Sequence, residues 1–328
     1  MFKEKSILVT GGTGSVGSEL VRKVLKYDPE VIRVFDNDEN GLFNLEHELQ
    51  GYSNLRFLVG DVRDKERLKM AVENIDFVFH AAALKHVPLC EYNPFEAVAT
   101  NVIGTQNLID VVTEAEKLIT ISTDKAVNPV NVMGATKLLA ERLTTSAHGY
   151  RRKTVFSCVR FGNVLGSNGS VIPLFRKQIK KGGPVTVTEP NMTRFVMSIS
   201  RAADLVLEAT KMAQGGEIFI FKMPSVRIND IAEVAIEEMA PEYGYNPKDI
   251  EINVVGKRAG EKFHEELMTE EEAMYAIETD EMFTSLPQAL EERQVAAKQA
   301  TVKGYLSQEQ QLLSKSEIKE LFRENKSL

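Results

Sequence analysis

Residues 123–125 read Thr-Asp-Lys, and Lys137 follows in the next helical stretch. A hydroxyl, a carboxylate and an amine side by side form a proton-handling set. Removing water from a sugar needs a base for a carbon-bound proton, an acid for the departing hydroxide and a hydroxyl to orient the substrate. The plainer alternative is a polar strand end with a solvated Asp124–Lys125 pair, a common structural device. The apolar run 118–121 reads as a buried parallel strand. It would deliver Thr123, Asp124 and Lys125 to its carboxyl end, where open α/β sheets bind ligands. Asn128-Pro129 breaks the chain, and a helix carrying Met133 and Lys137 begins.

A second constellation opens the chain. Residues 6–10 form a short apolar strand, followed by Gly11-Gly12-Thr13-Gly14-Ser15-Val16-Gly17. A helical pattern then places Val16, Leu20, Val24 and Leu25 on one face. A second strand, 31–35, ends at Asp36, nineteen residues past Gly17. Strand, glycine turn, helix, strand and acid together make the dinucleotide-binding Rossmann fingerprint. Gly11 and Gly14 let the backbone approach a pyrophosphate, and Gly17 lets the helix pack on the sheet. The helix N-terminus, where Ser15 and Val16 lie, attracts the anion. Asp36, with Asn37 beside it, would bind the adenosine ribose and repel a 2′-phosphate, which favours NAD over NADP. Arg33 is expected to face away.

The α/β rhythm continues. Strand 55–59 runs towards Asp61-Val62, an expected adenine contact. Strand 77–80 ends at Ala81-Ala82-Ala83, whose small side chains permit close approach to the cofactor. In the following loop Lys85 could meet a phosphate or a sugar hydroxyl. His86 could move a proton, although a lone His beside a proline more often only packs. A long helix is expected from Pro94, with Asn101 on its inner face as a buried hydrogen-bonding residue that braces the active-site strand and contacts the cofactor.

Beyond residue 165 the pattern loosens. We expect a turn-rich loop at 166–170, a helix at 171–181 and a short strand at 185–188. Helices at 201–213 and 228–239 flank a strand at 218–221, and 241–249 reads as a surface loop. The charged runs 270–272 and 291–293 read as solvated faces, and 314–325 as an amphipathic helix. The expected fold class is therefore α/β: a Rossmann-type doubly wound parallel sheet with a smaller mixed α/β substrate-binding domain. Residues 1–165 would bind NAD, with 200–240 returning to that unit; 166–200 and 241–328 would bind substrate.

Composition sets outer limits. The 328 residues are 43% hydrophobic and 27% charged, as in a globular protein of one large unit or two closely joined ones. A net charge of −7 argues against a nucleic-acid partner. Cys90 and Cys158 sit in apolar neighbourhoods and read as buried thiols of a reducing cytosol. No Cys/His cluster has zinc spacing, so no metal is expected. Residues 1–5 lack the apolar core of a signal peptide. No apolar stretch approaches the ~18 residues of a membrane span. A cytoplasmic protein with no membrane partner is expected.

Thr10-Gly11-x-x-Gly14-x-x-Gly17, Asp61-Val62, Ala81-Ala82-Ala83, Asn101 and the segment ending at Lys137 resemble the extended short-chain dehydrogenase/reductase superfamily. Three further segments look closer to the UDP-N-acetylglucosamine 4,6-dehydratases: Ser122-Thr123-Asp124-Lys125-Ala126, Arg160-Phe161-Gly162-Asn163-Val164 and Gly169-Ser170-Val171-Ile172-Pro173. Asn191-Met192-Thr193-Arg194-Phe195 and Arg258-Ala259-Gly260-Glu261-Lys262 extend the match, which spans residues 7–267. The resemblance implies UDP-N-acetylglucosamine as substrate, NAD as cofactor, a homo-oligomer and a place in deoxy-amino-sugar and surface-glycan synthesis. Asn163, at a strand end, could hydrogen-bond a substrate phosphate or the sugar amide; Val171 is expected to contact substrate, and uridine to lie along the strand holding Thr186. Arg194 and Arg258 would fork onto the diphosphate, with Glu261 orienting Arg258 or accepting a ribose hydroxyl. Lys137 would bind the nicotinamide ribose.

One departure matters. The superfamily usually has Tyr four residues before the catalytic Lys, where this chain has Met133. A thioether cannot shuttle a proton, although some of the resembling dehydratases also carry Met there. The mechanism implied is hydride loss from C4 to NAD, removal of the C5 proton by Lys125, protonation of the C6 hydroxyl by Asp124, and hydride return to C6. Lys125 would then need its pKa lowered by burial or nearby cations, and Thr123 would orient the C4 hydroxyl. Asp36 and residues 131–137 look like the C5-retaining members; 191–195 and 222–225 look like the inverting ones. Retention is favoured slightly. The rival readings are an inverting dehydratase, a nucleotide-sugar 4-epimerase and a silent NAD-binding scaffold.

Overall fold

The computed structural model describes residues 1–150, 153–167, 169–286 and 298–326. Asn168 and the expected charged run at Glu291, Glu292 and Arg293 lie outside the described residues.

The first half alternates strand and helix: β1 (Ser6–Thr10), α1 (Ser15–Leu25), β2 (Val31–Asp36), α2 (Glu39–Glu48), β3 (Leu55–Val59), α3 (Lys65–Val72) and β4 (Phe77–His80). Every residue of β1 and β4 is buried, as expected of parallel strands covered on both faces. Asp38 and Asp64 cap α2 and α3 by accepting from the Gly41 and Arg67 amides.

The single long helix expected from Pro94 is subdivided. It follows α4 (Val87–Tyr92) as α5 (Pro94–Val98), a π turn over Ala99–Ile103, and α6 (Gly104–Val111). Asn101 sits in the π turn, a form of helix often found at functional sites. The chain continues as β5 (Lys117–Thr123), a 3-10 turn over Asp124–Ala126, α7 (Val132–Tyr150), β6 (Val155–Phe161) and β7 (Asn163–Val164).

The remainder comprises α8 (Val171–Ile179), β8 (Val185–Val187), β9 (Thr193–Met197), α9 (Ile199–Met212), β10 (Ile218–Phe221), β11 (Ser225–Arg227) and α10 (Ile228–Met239). After two 3-10 turns within 241–249 come β12 (Ile252–Val254), β13 (Glu266–Met268), α11 (Glu270–Met274), β14 (Ala276–Glu278), β15 (Met282–Ser285), β16 (Tyr305–Leu306) and α12 (Lys315–Lys326).

Nine strands form the main sheet in the order β14-β15-β10-β6-β5-β4-β1-β2-β3. Seven are parallel, and β15 and β14 add an antiparallel edge. Strand order reverses between β1 and β4, so a crevice opens at their carboxyl ends. A second core, including Ile172, Phe175, Ile231, Val234, Ile318 and Phe322, joins α8, α10 and α12.

The two layers divide the chain differently from the expected boundaries. Within 200–240, α9 packs on α1 and β10 joins the main sheet, but α10 packs on α8 and α12. The apolar face of α10 matches that second core rather than the sheet. Conversely, β14 and β15 lie in the stretch assigned to substrate binding, yet they extend the main sheet because Met282 and Phe283 bury against its core.

Candidate active site

Two adjoining cavities occupy the crevice. The larger, about 650 Å³, runs from the glycine turn past the end of β2 to β5 and α7. The smaller, about 190 Å³, lies under residues 258–262, and Lys125 and Asn163 line both.

The glycine turn is built for a backbone-hugging ligand. Gly11 has φ +67°, and a side chain on Gly17 would collide with the Gly11 carbonyl. Gly11, Thr13, Gly14, Ser15, Val16 and Gly17 all line the larger cavity. Asp36 accepts from the Thr13 amide (3.0 Å) and hydroxyl (2.7 Å) through Oδ2, which fixes the carboxylate at the end of β2. Asn37 donates to Asp61 at 3.3 Å, and Arg63 grips Asp61 at 2.6 Å, holding its carboxyl below the usual range. Asn37, Asp61, Val62, Ala81, Ala82 and Ala83 line the same wall. This cradle fits a dinucleotide: small residues where backbones close in, and a fixed acid where a ribose would lie.

The proton-handling set is assembled at the end of β5. Thr123 Oγ1 donates to Asp124 Oδ1 at 2.8 Å, and Lys125 Nζ donates to the same oxygen at 2.9 Å. Asp124 is fully buried, and its Oδ2 has no partner. A side chain on Gly134 would strike the Lys125 carbonyl, so glycine lets the first turn of α7 press on this 3-10 turn. Lys137 reaches from α7 to donate to the Ile121 carbonyl at 2.7 Å, and burial lowers its pKa. Met133 is buried with Cys90 and Ala97 and lines the larger cavity, so its thioether occupies cleft wall.

Lys125 departs from expectation. Burial pushes its ammonium down, but Asp124 and then Glu265 more than offset this, and the net shift is upward. The condition set for a basic Lys125 is therefore not met by its resting surroundings. Carboxylates, not cations, dominate its neighbourhood.

Other expected residues divide. Lys85 and His86 line the larger cavity, and burial lowers the Lys85 pKa. His86 precedes α4 and leaves no room for a side chain on Gly169. Asn163 keeps a buried, unpartnered Oδ1 between the cavities. Arg194, Arg258 and Glu261 line the smaller cavity. Arg258 is exposed, but Arg194 is buried and committed: it donates to the Thr193, Lys262 and Phe263 carbonyls and to Glu261 at 3.1 Å.

Three expected contacts fall elsewhere. Thr186 lines neither cavity; β8 pairs with β12, and the Thr186 hydroxyl accepts from Gln178 at 2.7 Å. Val171 begins α8 and packs on the second core. Asn101 lines neither cavity, because its amide is used on the Leu84 backbone (2.8 and 2.9 Å) and on Thr136 (2.9 Å). It braces the loop after β4, the buried hydrogen-bonding role expected of it.

Glu265 was missed. It is 3% exposed, lines the smaller cavity and faces Lys125 Nζ at 3.7 Å and Arg194 Nε at 3.8 Å. Nothing local marks it: it precedes another Glu in a charged run, and its partners lie far away in sequence.

Fold and cleft define an extended short-chain dehydrogenase/reductase. The chain matches the family described as "Polysaccharide biosynthesis protein" over residues 7–287, and it belongs to that family. "Uncharacterized membrane protein MJ1061" of Methanocaldococcus jannaschii is 61% identical over 98% of this chain and 96% of its own. "UDP-N-acetylglucosamine 4,6-dehydratase (inverting)" of Campylobacter jejuni is 41% identical over 88% and 84%. "UDP-glucose 4-epimerase" of Rickettsia rickettsii is 42% identical over 83% and 80%. The X-ray structure of Pen from Bacillus thuringiensis superposes with a TM-score of 0.92 at 46% identity, over 98% of each chain. Among the described residues no helix is long and apolar enough to cross a membrane, and no cluster could hold a metal ion.

Proposed function

We propose that this protein catalyses NAD-dependent 4,6-dehydration of UDP-N-acetylglucosamine to a UDP-4-keto-6-deoxy-N-acetylhexosamine, for deoxy-amino-sugar and surface-glycan synthesis. The observation carrying this reading is the Thr123–Asp124–Lys125 chain of 2.8 and 2.9 Å contacts, with Thr123 and Lys125 on the cavity wall and Asp124 buried behind them. It supplies a base for C5 and an acid for C6, which a 4-epimerase, working only at C4, does not need. Bound NAD would accept hydride from C4 and return it to C6, leaving no net redox change. Asp36 supports NAD over NADP, because its carboxylate would repel a 2′-phosphate.

The side chains supply the proton steps. A C4 hydroxyl seated on Thr123 passes its proton through the Thr123 hydroxyl to Asp124, a route that needs no Tyr. The resulting 4-ketone acidifies the C5 proton, which Lys125 takes as the free amine. Asp124 then protonates the C6 hydroxyl; the C6–O bond breaks, water leaves and a C5–C6 double bond forms. Lys125 finally returns a proton to C5. Lys137 would hold the nicotinamide ribose, and exposed Arg258 the diphosphate, with Arg194 fastening the 258–265 loop over it. A single base on one face returns the C5 proton to the face it left, which supports retention. The Campylobacter relative's name favours inversion as the second reading, and the Rickettsia relative's favours 4-epimerisation.

Incubation with UDP-N-acetylglucosamine in deuterium oxide, followed by proton NMR and mass spectrometry, tests this. Loss of water with a new C6 methyl signal is expected; isomerisation without mass change would mean epimerisation. Reduction of the ketone and the H4–H5 coupling separates retention from inversion. Lys125→Ala and Asp124→Asn should each lower turnover by roughly 10²–10⁴-fold. Full activity in both would end the scheme.

A further inference from the structure

The dehydration scheme leaves one proton without a place. After C4 is oxidised, Asp124 holds the C4 hydroxyl proton as the acid for C6, while Lys125 must be a free amine to attack C5. The resting pair carries one proton, on Lys125, so for a moment the site holds two and Lys125 must hand its own on. Asp124 is already occupied.

We propose that Glu265 is the positioning residue that holds Lys125 in place and stores its proton during turnover. This rests on the dehydratase reading. Three observations carry it. Glu265 Oε1 lies 3.7 Å from Lys125 Nζ, on a different element from Asp124. A closing movement of about 0.8 Å brings the pair to hydrogen-bond distance. Its Oε2 is buried without a partner in a residue lining the smaller cavity, which is costly for a carboxylate kept only as a fastener. The fastening is already done: Arg194 ties this loop through Glu261 and the Lys262 and Phe263 carbonyls. The Glu265 backbone is clamped on both sides by Ser307, which accepts from its amide and donates to its carbonyl at 2.9 Å each.

The surrounding charges are consistent with this. Lys125 faces Asp124, Glu265 and Arg194; Glu265 faces Lys125, Asp124, Arg194 and Lys262. Burial raises the Glu265 pKa, with Asp124 adding to it and the cations opposing. A carboxyl raised in this way accepts a proton readily. The cycle balances. The Lys125 N–H bond breaks and a Glu265 O–H bond forms; Lys125 takes the C5 proton, and Asp124 protonates the departing hydroxide. Lys125 then returns a proton to C5 and recovers its own from Glu265, restoring the starting ion pairs.

The test compares wild type, Glu265→Gln and Glu265→Asp by pH–rate profile. With internal storage, wild-type kcat is flat around neutrality. Glu265→Gln should lose roughly 100-fold in kcat at pH 7 with KM little changed, and should regain rate at up to about tenfold per pH unit as solvent takes the Lys125 proton. Glu265→Asp keeps a carboxylate and should restore a flat profile. A Gln profile parallel to wild type, at any height, would overturn the proposal; so would an Asp profile as sloped as that of Gln. A second readout needs no turnover: the Lys125 Nζ resonance, assigned by its loss in Lys125→Met, should titrate at lower pH in Glu265→Gln. An unmoved titration also overturns the proposal. A wild type that never releases water refutes the dehydratase reading instead, and leaves the Nζ titration to decide the role of Glu265.

Discussion

Met133 stands where a tyrosine would move a proton, and its surroundings are those of a packing residue: 3% exposed, against Cys90 and Ala97. In the proposed scheme proton transfer falls to Thr123 and Asp124, which are joined by a 2.8 Å hydrogen bond. Met133→Leu, which keeps volume, should cost under about 1.5 kcal/mol and leave turnover within the same order of magnitude. A large loss of kcat with intact folding would show that the sulfur takes part in the chemistry. The buried Arg160 gives the opposite case. It donates to Glu141 at 2.8 and 3.0 Å, to Glu272 at 2.9 Å and to the Leu267 carbonyl, tying α7, β6 and α11 together. Glu141→Ala should lower stability by about 3–5 kcal/mol, because it removes one partner from a buried charge. A denaturant midpoint measured against wild type checks this.

At the scale of elements, short stretches of backbone hold the site. The glycine turn between β1 and α1 leaves no room at Gly17, so Gly17→Ala should abolish NAD binding in a fluorescence titration, while the variant's circular dichroism stays α/β. Retained affinity would mean that the turn relaxes without cost. His80 at the end of β4 bridges Thr10 (2.7 Å) and Thr105 (3.0 Å), linking β1 to α6. Burial, aided by Lys137, lowers its pKa from 6.5 to about 3. The folded protein therefore keeps His80 neutral while the unfolded chain protonates below pH 6.5. The His80 contribution is complete above pH 6.5 and declines as pH falls towards 3, at up to about 1.4 kcal/mol per pH unit. His80→Gln should flatten that part of the stability–pH curve, and an unchanged slope would contradict the assignment.

At the scale of the molecule, the two cavities meet at Lys125 and Asn163, the larger along the carboxyl ends of the main sheet and the smaller walled by Arg194, residues 258–262 and Glu265, so a ligand filling both touches segments far apart in the chain. NAD and UDP together should raise the thermal midpoint more than either alone. Each adds about 2.7 kcal/mol at a hundredfold excess over its Kd. UDP without effect in the presence of NAD would place the nucleotide elsewhere.

Local pattern determined much of this protein. The strand–turn–helix with Asp36, the alanines after β4, and the Thr123–Lys125 set are contiguous signals, because a turn, a close approach or a strand end is specified by neighbours in the chain. Tertiary structure decided the rest. Glu265 meets Lys125 across 140 residues, Arg194 is drawn from ligand to loop by carbonyls of 262–263, and Thr186 is turned onto Gln178. Asn101 is spent on Leu84 and Thr136, and α10 leaves the sheet for a second core. Thr186 and Gln178 are eight residues apart, but in the other cases the partner is distant in sequence. A side chain's charge state and its freedom to bind depend on what is packed against it, and only the folded chain sets that.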